Sequence, residues 1–194
     1  MLQVILDVET QKIFDEVGGY FPDRLGISFV GVNVRHSYGE PGEFQSYFEK
    51  DLPKLFPLLE KADVIVGFNV DDFDMQTFLP YYNGEITTLP TLDIMKRIKD
   101  SIGHRISLDA VAQETLGIGK TGNGLDAIKY FKAKDWDKLE KYCLQDVKIT
   151  RDLLDHGYSK GEVKFRNKWN RLITTPVDFT FTPQKRMGIQ MSLI

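Results

Sequence analysis

Three short stretches of the chain gather acidic residues in patterns that could do chemistry. The first is Asp7-Val8-Glu9-Thr10, placed directly after the apolar run 2–6. In an extended chain side chains two apart share a face, so the Asp7 and Glu9 carboxylates converge. Their mutual repulsion is reversed by a bound divalent cation, because hard cations such as Mg²⁺ take carboxylate oxygens. Taken alone, the pair also fits ordinary polarity at a strand end. The second stretch is GFNVDDFD (67–74), an apolar strand closing at Asn69 and leading into a helix that carries Asp74. Asp71 and Asp72 are read as capping residues that complement the helix dipole. The third is Tyr142-Cys-Leu-Gln-Asp146, where an i, i+4 spacing puts a phenol and a carboxylate on one helical face.

Those residues need a scaffold. Apolar runs at 2–6, 25–34 and 62–69 read as strands, as does the alternating segment 43–48, and Tyr38-Gly39-Glu40-Pro41-Gly42 supplies a turn. Residues 51–61 carry Leu52, Leu55, Leu58 and Leu59 at helical spacing, with Pro57 expected to bend or break the helix. Helical periodicity then covers 71–82, 107–117, 125–133 and 135–157, with a short strand or turn at 91–95. Ser107 and Asp135 are read as N-caps, and Gly117 and Gly157 as helix stops. Strands first and helices later predict a mostly antiparallel meander followed by a helix-covered parallel strand. The segment 164–182 reads as two strands or an extended arm.

The order of the motifs is more telling than any one of them. It resembles the DEDD superfamily of 3′–5′ exonucleases, whose ribonuclease-H-like fold is similar to the proofreading domains of DNA polymerases. DVET (7–10) resembles the first motif, GFNVDDFD (67–74) the second through its Asn-x-x-x-Phe-Asp ending, and YCLQD (142–146) the third. One branch of that superfamily places a His five residues before the last Asp. Lys141 stands there, so the chain resembles the tyrosine branch through Tyr142. The long segment after DVET, together with TLDIM and RISLDAVAQETLGIGK, is similar to exonuclease domains found beside helicases or related to family B polymerases. Gln11 departs from the pattern, which commonly has Thr or Gly there.

The resemblance implies an α/β ribonuclease-H-like fold, a central mixed β-sheet flanked by α-helices, over about residues 1–157. Residues 158–194 would form a basic extension, a β-hairpin or arm. It implies that Asp7, Glu9, Asp74 and Asp146 hold two Mg²⁺ or Mn²⁺ ions, with Asp7 bridging them, and that Tyr142 orients the attacking water. Thr10, with the backbone after Glu9, and Asn69 are candidates for holding the terminal nucleotide. Asn69 is equally a turn residue tying down the loop before Asp74. The substrate would be the 3′ end of single-stranded DNA or RNA, with a helicase or polymerase as partner.

Other features set limits. The 194 residues suit one domain, 42% hydrophobic and 27% charged, so disorder and fibrous repeats are set aside. No apolar run nears the roughly 20 residues of a membrane helix. The opening MLQVIL does not read as a signal peptide, and a cytoplasmic location without membrane contact is expected. Cys143 is the only cysteine, which excludes an internal disulfide and a zinc site built from cysteine pairs. The net charge is −8 over 1–155 and +5 over 156–194, an asymmetry that suits either an anionic partner or a merely solvated tail. GIGKT (117–121) lacks the earlier P-loop glycine, Glu114 standing in its place, so Lys120 is read instead as a phosphate contact. A haloacid-dehalogenase-type phosphatase would want Asp where Glu9 stands. His36, His104 and His156 form no ligand-like cluster. Beside the exonuclease reading stand a catalytically silent nucleic-acid-binding or scaffold module and a small-molecule phosphoester hydrolase.

Overall fold

The structure is a computed structural model that describes residues 1–118 and 125–183. Five strands form a mixed sheet: β1 (Gln3–Thr10), β2 (Ile27–Arg35), β3 (Glu43–Phe48), β4 (Val64–Gly67) and β5 (Thr91–Asp93), in the order β3-β2-β1-β4-β5. β2 runs antiparallel to β1 and β3, while β4 lies parallel to β1 and β5 parallel to β4. An antiparallel meander followed by parallel strands is what the order of apolar runs predicts.

The period-2 alternation of β1 divides the core. Val4, Leu6 and Val8 face α1 (Leu52–Lys61), joining Leu52, Leu55, Phe56 and Leu59. Ile5 faces the opposite layer, where it meets α3 (Ile94–Ile102), α4 (Leu108–Leu116) and α6 (Trp136–Lys160). Asp7 and Glu9 continue the row that Ile5 begins, so both carboxylates point to the α6 side. They belong to β1 itself, because the strand runs through the DVET segment to Thr10 rather than ending at residue 6. A β-bulge between Glu9 and Thr10 shifts the register against β2 there.

α6 reaches the carboxylates because β2 leaves room for it. Gly31 pairs with Asp7, and a Cβ on Gly31 would come within 3.0 Å of Cys143 Sγ and 3.1 Å of Val147 Cγ2. Further along, Arg35, only 2% exposed, forks onto Asp155 of α6 at 2.7 and 2.8 Å and donates to Gln3 Oε1 at 2.7 Å. The helix is thus fixed against the sheet at two separate points.

Several local expectations are corrected. α2 covers only Asp74–Thr77 instead of 71–82, since Pro80 has no N–H to give the Gln76 carbonyl and Leu79 N bonds it in a tighter turn at 3.3 Å. α1 continues through Pro57, which lies on the exposed side away from Leu55 and Leu59. Residues 91–95 divide into β5 and the start of α3, whose N-cap is the Asp93 side chain, accepting from Lys96 N at 3.1 Å. α6 does not stop at Gly157 but ends at Gly161. Gly157 instead makes room for the Phe179 ring, which a Cβ there would overlap. Ser107 and Asp135 do cap α4 and α6, and Gly117 closes α4.

α5 (Asp126–Ala133) packs with α6 over Phe29. Beyond α6, β6 (Glu162–Arg166) and β7 (Leu172–Pro176) form an antiparallel hairpin, and Val163 and Phe179 join the core of the α3, α4 and α6 layer. Among the described residues no helix is long and apolar enough to cross a membrane.

Candidate active site

Asp7 and Glu9 lie side by side on β1, and their carboxylate oxygens fall within 4.8 Å of each other and of Cys143 Sγ. Cys143 Sγ donates to the main-chain oxygen of Asp7 at 3.4 Å and lies 3.5 Å from its Oδ2. Burial holds the Asp7 carboxyl up at about 6, although side-chain hydrogen bonds with Cys143 and Glu9 pull it back down. Glu9 is pushed well above the usual range, first by burial and then by the negative charges of Asp7, Asp146 and Asp74. The charges that raise Glu9 come from β1, α2 and α6, so the three elements carry carboxylates that act on one another.

Asp74 reaches it from the other side of the crossover. It is 3% exposed, its Oδ1 accepts from Val8 N at 3.0 Å, and burial and the charge of Asp7 push its carboxyl up. The loop that delivers it is tightly held. Asn69 adopts φ 74°, a conformation that Asn tolerates better than most residues, and its N–H donates to Asp93 Oδ1 at 3.0 Å. Asp71 N donates to Asp93 Oδ2 at 3.2 Å, and Thr91 Oγ1 donates to Asp71 Oδ1 at 2.6 Å. The Asn69 side-chain oxygen accepts from Arg105, which also pairs with Asp72 at 3.2 Å.

Tyr142 stands one turn before Asp146 on α6, with its ring edge-on to Tyr130 at 6.4 Å between centroids. Burial, then the charges of Asp146, Glu9 and Asp7, raise its phenol above the ordinary value. The phenol is therefore neutral throughout the physiological range.

The donor set fits divalent cations. Among the described residues, no Lys or Arg forms an ion pair with Asp7, Glu9 or Asp74, and their carboxylates raise one another. Hard oxygen donors crowded without a cationic side chain are what a divalent cation would relieve.

A sequence model described as RNase_H superfamily matches residues 4–158, from the beginning of β1 almost to the end of α6. The chain belongs to the RNase_H superfamily. Among solved structures, this superfamily member is similar to the family B DNA polymerase from the hyperthermophilic archaeon Pyrobaculum calidifontis. The TM-score is 0.56 and the identity 18%, over 81% of this chain and 24% of the polymerase. A second similarity is to E. coli Exonuclease I in complex with a 5cy-dT13 oligonucleotide, with TM-score 0.46 and 12% identity over 82% of this chain and 41% of that one. The chain thus spans about a quarter and two fifths of those proteins. No curated protein matches. The mixed five-stranded sheet flanked by helices is the superfamily's α/β fold.

Of the residues singled out from sequence, Asp7 and Glu9 lie together on β1, Asp74 is bonded to Val8 N between them in the chain, and Tyr142 and Asp146 stand one turn apart on α6. Thr10 does not present a free hydroxyl: it is 7% exposed and its Oγ1 donates to the Lys12 carbonyl at 3.0 Å. Asn69 borders the site with its side chain engaged by Arg105, so its turn role is visible. Lys120 lies outside the described residues. Sequence reasoning overlooked Cys143, Asp93 and Arg105 as site residues. Cys143 had a usable signal, since it sits inside the Tyr142–Asp146 motif itself; Asp93 and Arg105 act across more than 20 residues, which no local pattern reveals.

Proposed function

We propose that this chain is a divalent-metal-dependent exonuclease that removes nucleotides from the 3′ end of single-stranded DNA or RNA. The observation that carries the reading is the paired Asp7 and Glu9 on β1, with Asp74 bonded to Val8 N and with α6, the helix of Tyr142 and Asp146, packed on Asp7 through Cys143. Superfamily membership supports a nuclease. The resemblance of the three ordered motifs to DEDD exonucleases of the tyrosine branch supports the 3′–5′ direction.

Two Mg²⁺ or Mn²⁺ ions held by the four carboxylates would generate the hydroxide nucleophile and neutralise the leaving oxygen. The chain's own residues do the positioning. Asp74 is anchored through one oxygen by Val8 N, which orients its other oxygen. Cys143 holds Asp7 from below through its thiol. Tyr142, neutral and fixed on α6, orients the water by hydrogen bonding. The loop at Asn69, locked by Asp93 and Arg105, keeps Asp74 in place as substrate arrives. A polymerase or helicase companion is part of the proposal, on the resemblance of TLDIM and RISLDAVAQETLGIGK to exonuclease domains found beside helicases or related to family B polymerases.

Digestion of 5′-labelled single-stranded DNA and RNA with Mg²⁺ or Mn²⁺ tests the reading. A ladder descending from the 3′ end supports it. Cleavage of small phosphomonoesters with intact oligonucleotides would favour the small-molecule hydrolase, and binding without cleavage the silent module.

A further inference from the structure

The β6–β7 hairpin carries Lys164, Arg166, Lys168 and Arg171 around one tryptophan, Trp169. Its turn is built by Asn167. The Asn167 Oδ1 accepts from Trp169 N at 3.0 Å and from Arg171 N at 3.1 Å, while Asn167 N donates to the Arg171 carbonyl at 3.0 Å. Asn170 N closes onto the Asn167 carbonyl at 2.8 Å. This ordered turn holds the Trp169 indole at the apex with 69% of its surface exposed. Lys168 Nζ lies 4.5 Å over the ring. Arg166 is paired with Glu114, but among the described residues Lys168 and Arg171 meet no carboxylate.

The hairpin is joined to the site by a short run of contacts. Buried Phe165 packs edge-on to His104, and a hollow between them is lined by Ile106, Ala110, Asn167 and Trp169. His104 neighbours Arg105, which bonds the side chain of Asn69 at the loop that delivers Asp74. The hairpin therefore packs beside the segment that carries Arg105, whose side chain reaches the loop delivering Asp74.

We propose that the β6–β7 hairpin is a binding arm for the single strand leading into the site, with a base stacked on Trp169 and phosphates met by Lys168 and Arg171. The inference rests on the exonuclease reading for what the strand is doing there. Charge favours a polyanion on this arm and not on the acidic body, where residues 1–155 carry −8. An indole exposed over most of its surface, with Lys168 on one face, favours an unpaired base on the other, because every base offers a π-face once it leaves the duplex. An acidic peptide would satisfy the cations but leave the indole without a planar partner.

The test uses the full chain with Trp136→Phe, which leaves Trp169 as the only tryptophan, in EDTA so that no cleavage occurs. A single strand of about 20 nucleotides should quench Trp169 fluorescence, while an abasic strand of equal length should not, and Trp169→Ala should weaken binding of a fluorescein-labelled strand, read by anisotropy, about 10-fold. Equal responses to the abasic strand, heparin or an acidic peptide would overturn base stacking. In Mg²⁺, the preference of the enzyme for the long strand over a trinucleotide should shrink about 10-fold in Trp169→Ala and in Lys168→Ala/Arg171→Ala. An unchanged preference with brisk cleavage would overturn the arm and spare the exonuclease. Quenching without cleavage of either substrate would do the reverse.

Discussion

Cys143 Sγ lies 3.4 Å from the main-chain oxygen of Asp7 and 3.5 Å from its carboxylate, directly across the sheet position of Gly31. The contact joins the first and third acidic motifs through packing, and it exists because β2 has no side chain at that point. Gly31→Ala would press a methyl to 3.0 Å from Cys143 Sγ and Leu144 Cδ2 and lift α6 from β1. Overpacking of this kind costs about 1–3 kcal/mol. Urea denaturation should show that loss, and Mn²⁺ affinity should fall in the still-folded protein, because Asp7 and Asp146 are carried by the two elements forced apart.

Asp93 makes a second prediction that does not touch the metal ligands. Its carboxylate accepts from the N–H groups of Asn69, Asp71 and Lys96. Asp93→Ala leaves those donors without their acceptor and frees the loop before Asp74. A destabilisation of about 2–4 kcal/mol is expected, from unsatisfied donors at roughly 1–3 kcal/mol each with partial rehydration. Thermal unfolding measures the loss, and hydrogen exchange at residues 69–73 should accelerate beyond that of the sheet.

How much of this was legible in the residues depends on range. Period-2 alternation placed Asp7 and Glu9 on one face, and i, i+4 spacing placed Tyr142 with Asp146; both relations are local and hold. The antiparallel meander and a parallel strand after it were legible in the succession of apolar runs, whereas the order of the strands in the sheet was not. What escaped was contact across the fold. Gly157 reads as a helix stop, yet its purpose is to admit Phe179, a residue 22 positions later. Asp93 looks like the end of a short strand and proves to be both a helix cap and the clasp of a loop formed 24 residues earlier. The 71–82 segment has helical periodicity, but Pro80 and the held turn at Asn69 leave only one turn of helix.

Tyr142→Phe separates orientation from packing. The ring and its edge contact with Tyr130 are retained, and only the hydroxyl is lost. The cleavage rate should fall roughly 10–100-fold, at the modest end for a positioned proton-handling group. Mn²⁺ affinity by calorimetry should stay close to wild type, since the phenol is not among the proposed ligands.

The pH dependence of the metal-free protein follows from the carboxylates. Asp7 is raised from 3.8 to about 6, so the folded state binds its proton more tightly than the unfolded state does. Stability from this group is present below about pH 4 and is lost as pH rises through about 6. Glu9 and Asp74, raised by burial, act in the same direction. In EDTA the melting temperature should therefore fall between about pH 5 and pH 7.5. Millimolar Mg²⁺ or Mn²⁺ should restore it at the upper end, because a ligand that binds only the folded state stabilises it. A metal-free melting temperature that rises over this interval would contradict the desolvated cluster.

The central claim is that Asp7, Glu9, Asp74 and Asp146 form one metal-dependent hydrolytic site. The most direct measurement is a denaturing gel of 5′-labelled single-stranded oligonucleotide digested by wild type, Asp7→Asn and Asp146→Asn, each with Mn²⁺ or EDTA. The account predicts a ladder shortening from the 3′ end for wild type with Mn²⁺, and intact substrate in EDTA and for both variants while they remain folded. Wild-type cleavage that persists in EDTA, or full activity in either variant, would contradict it.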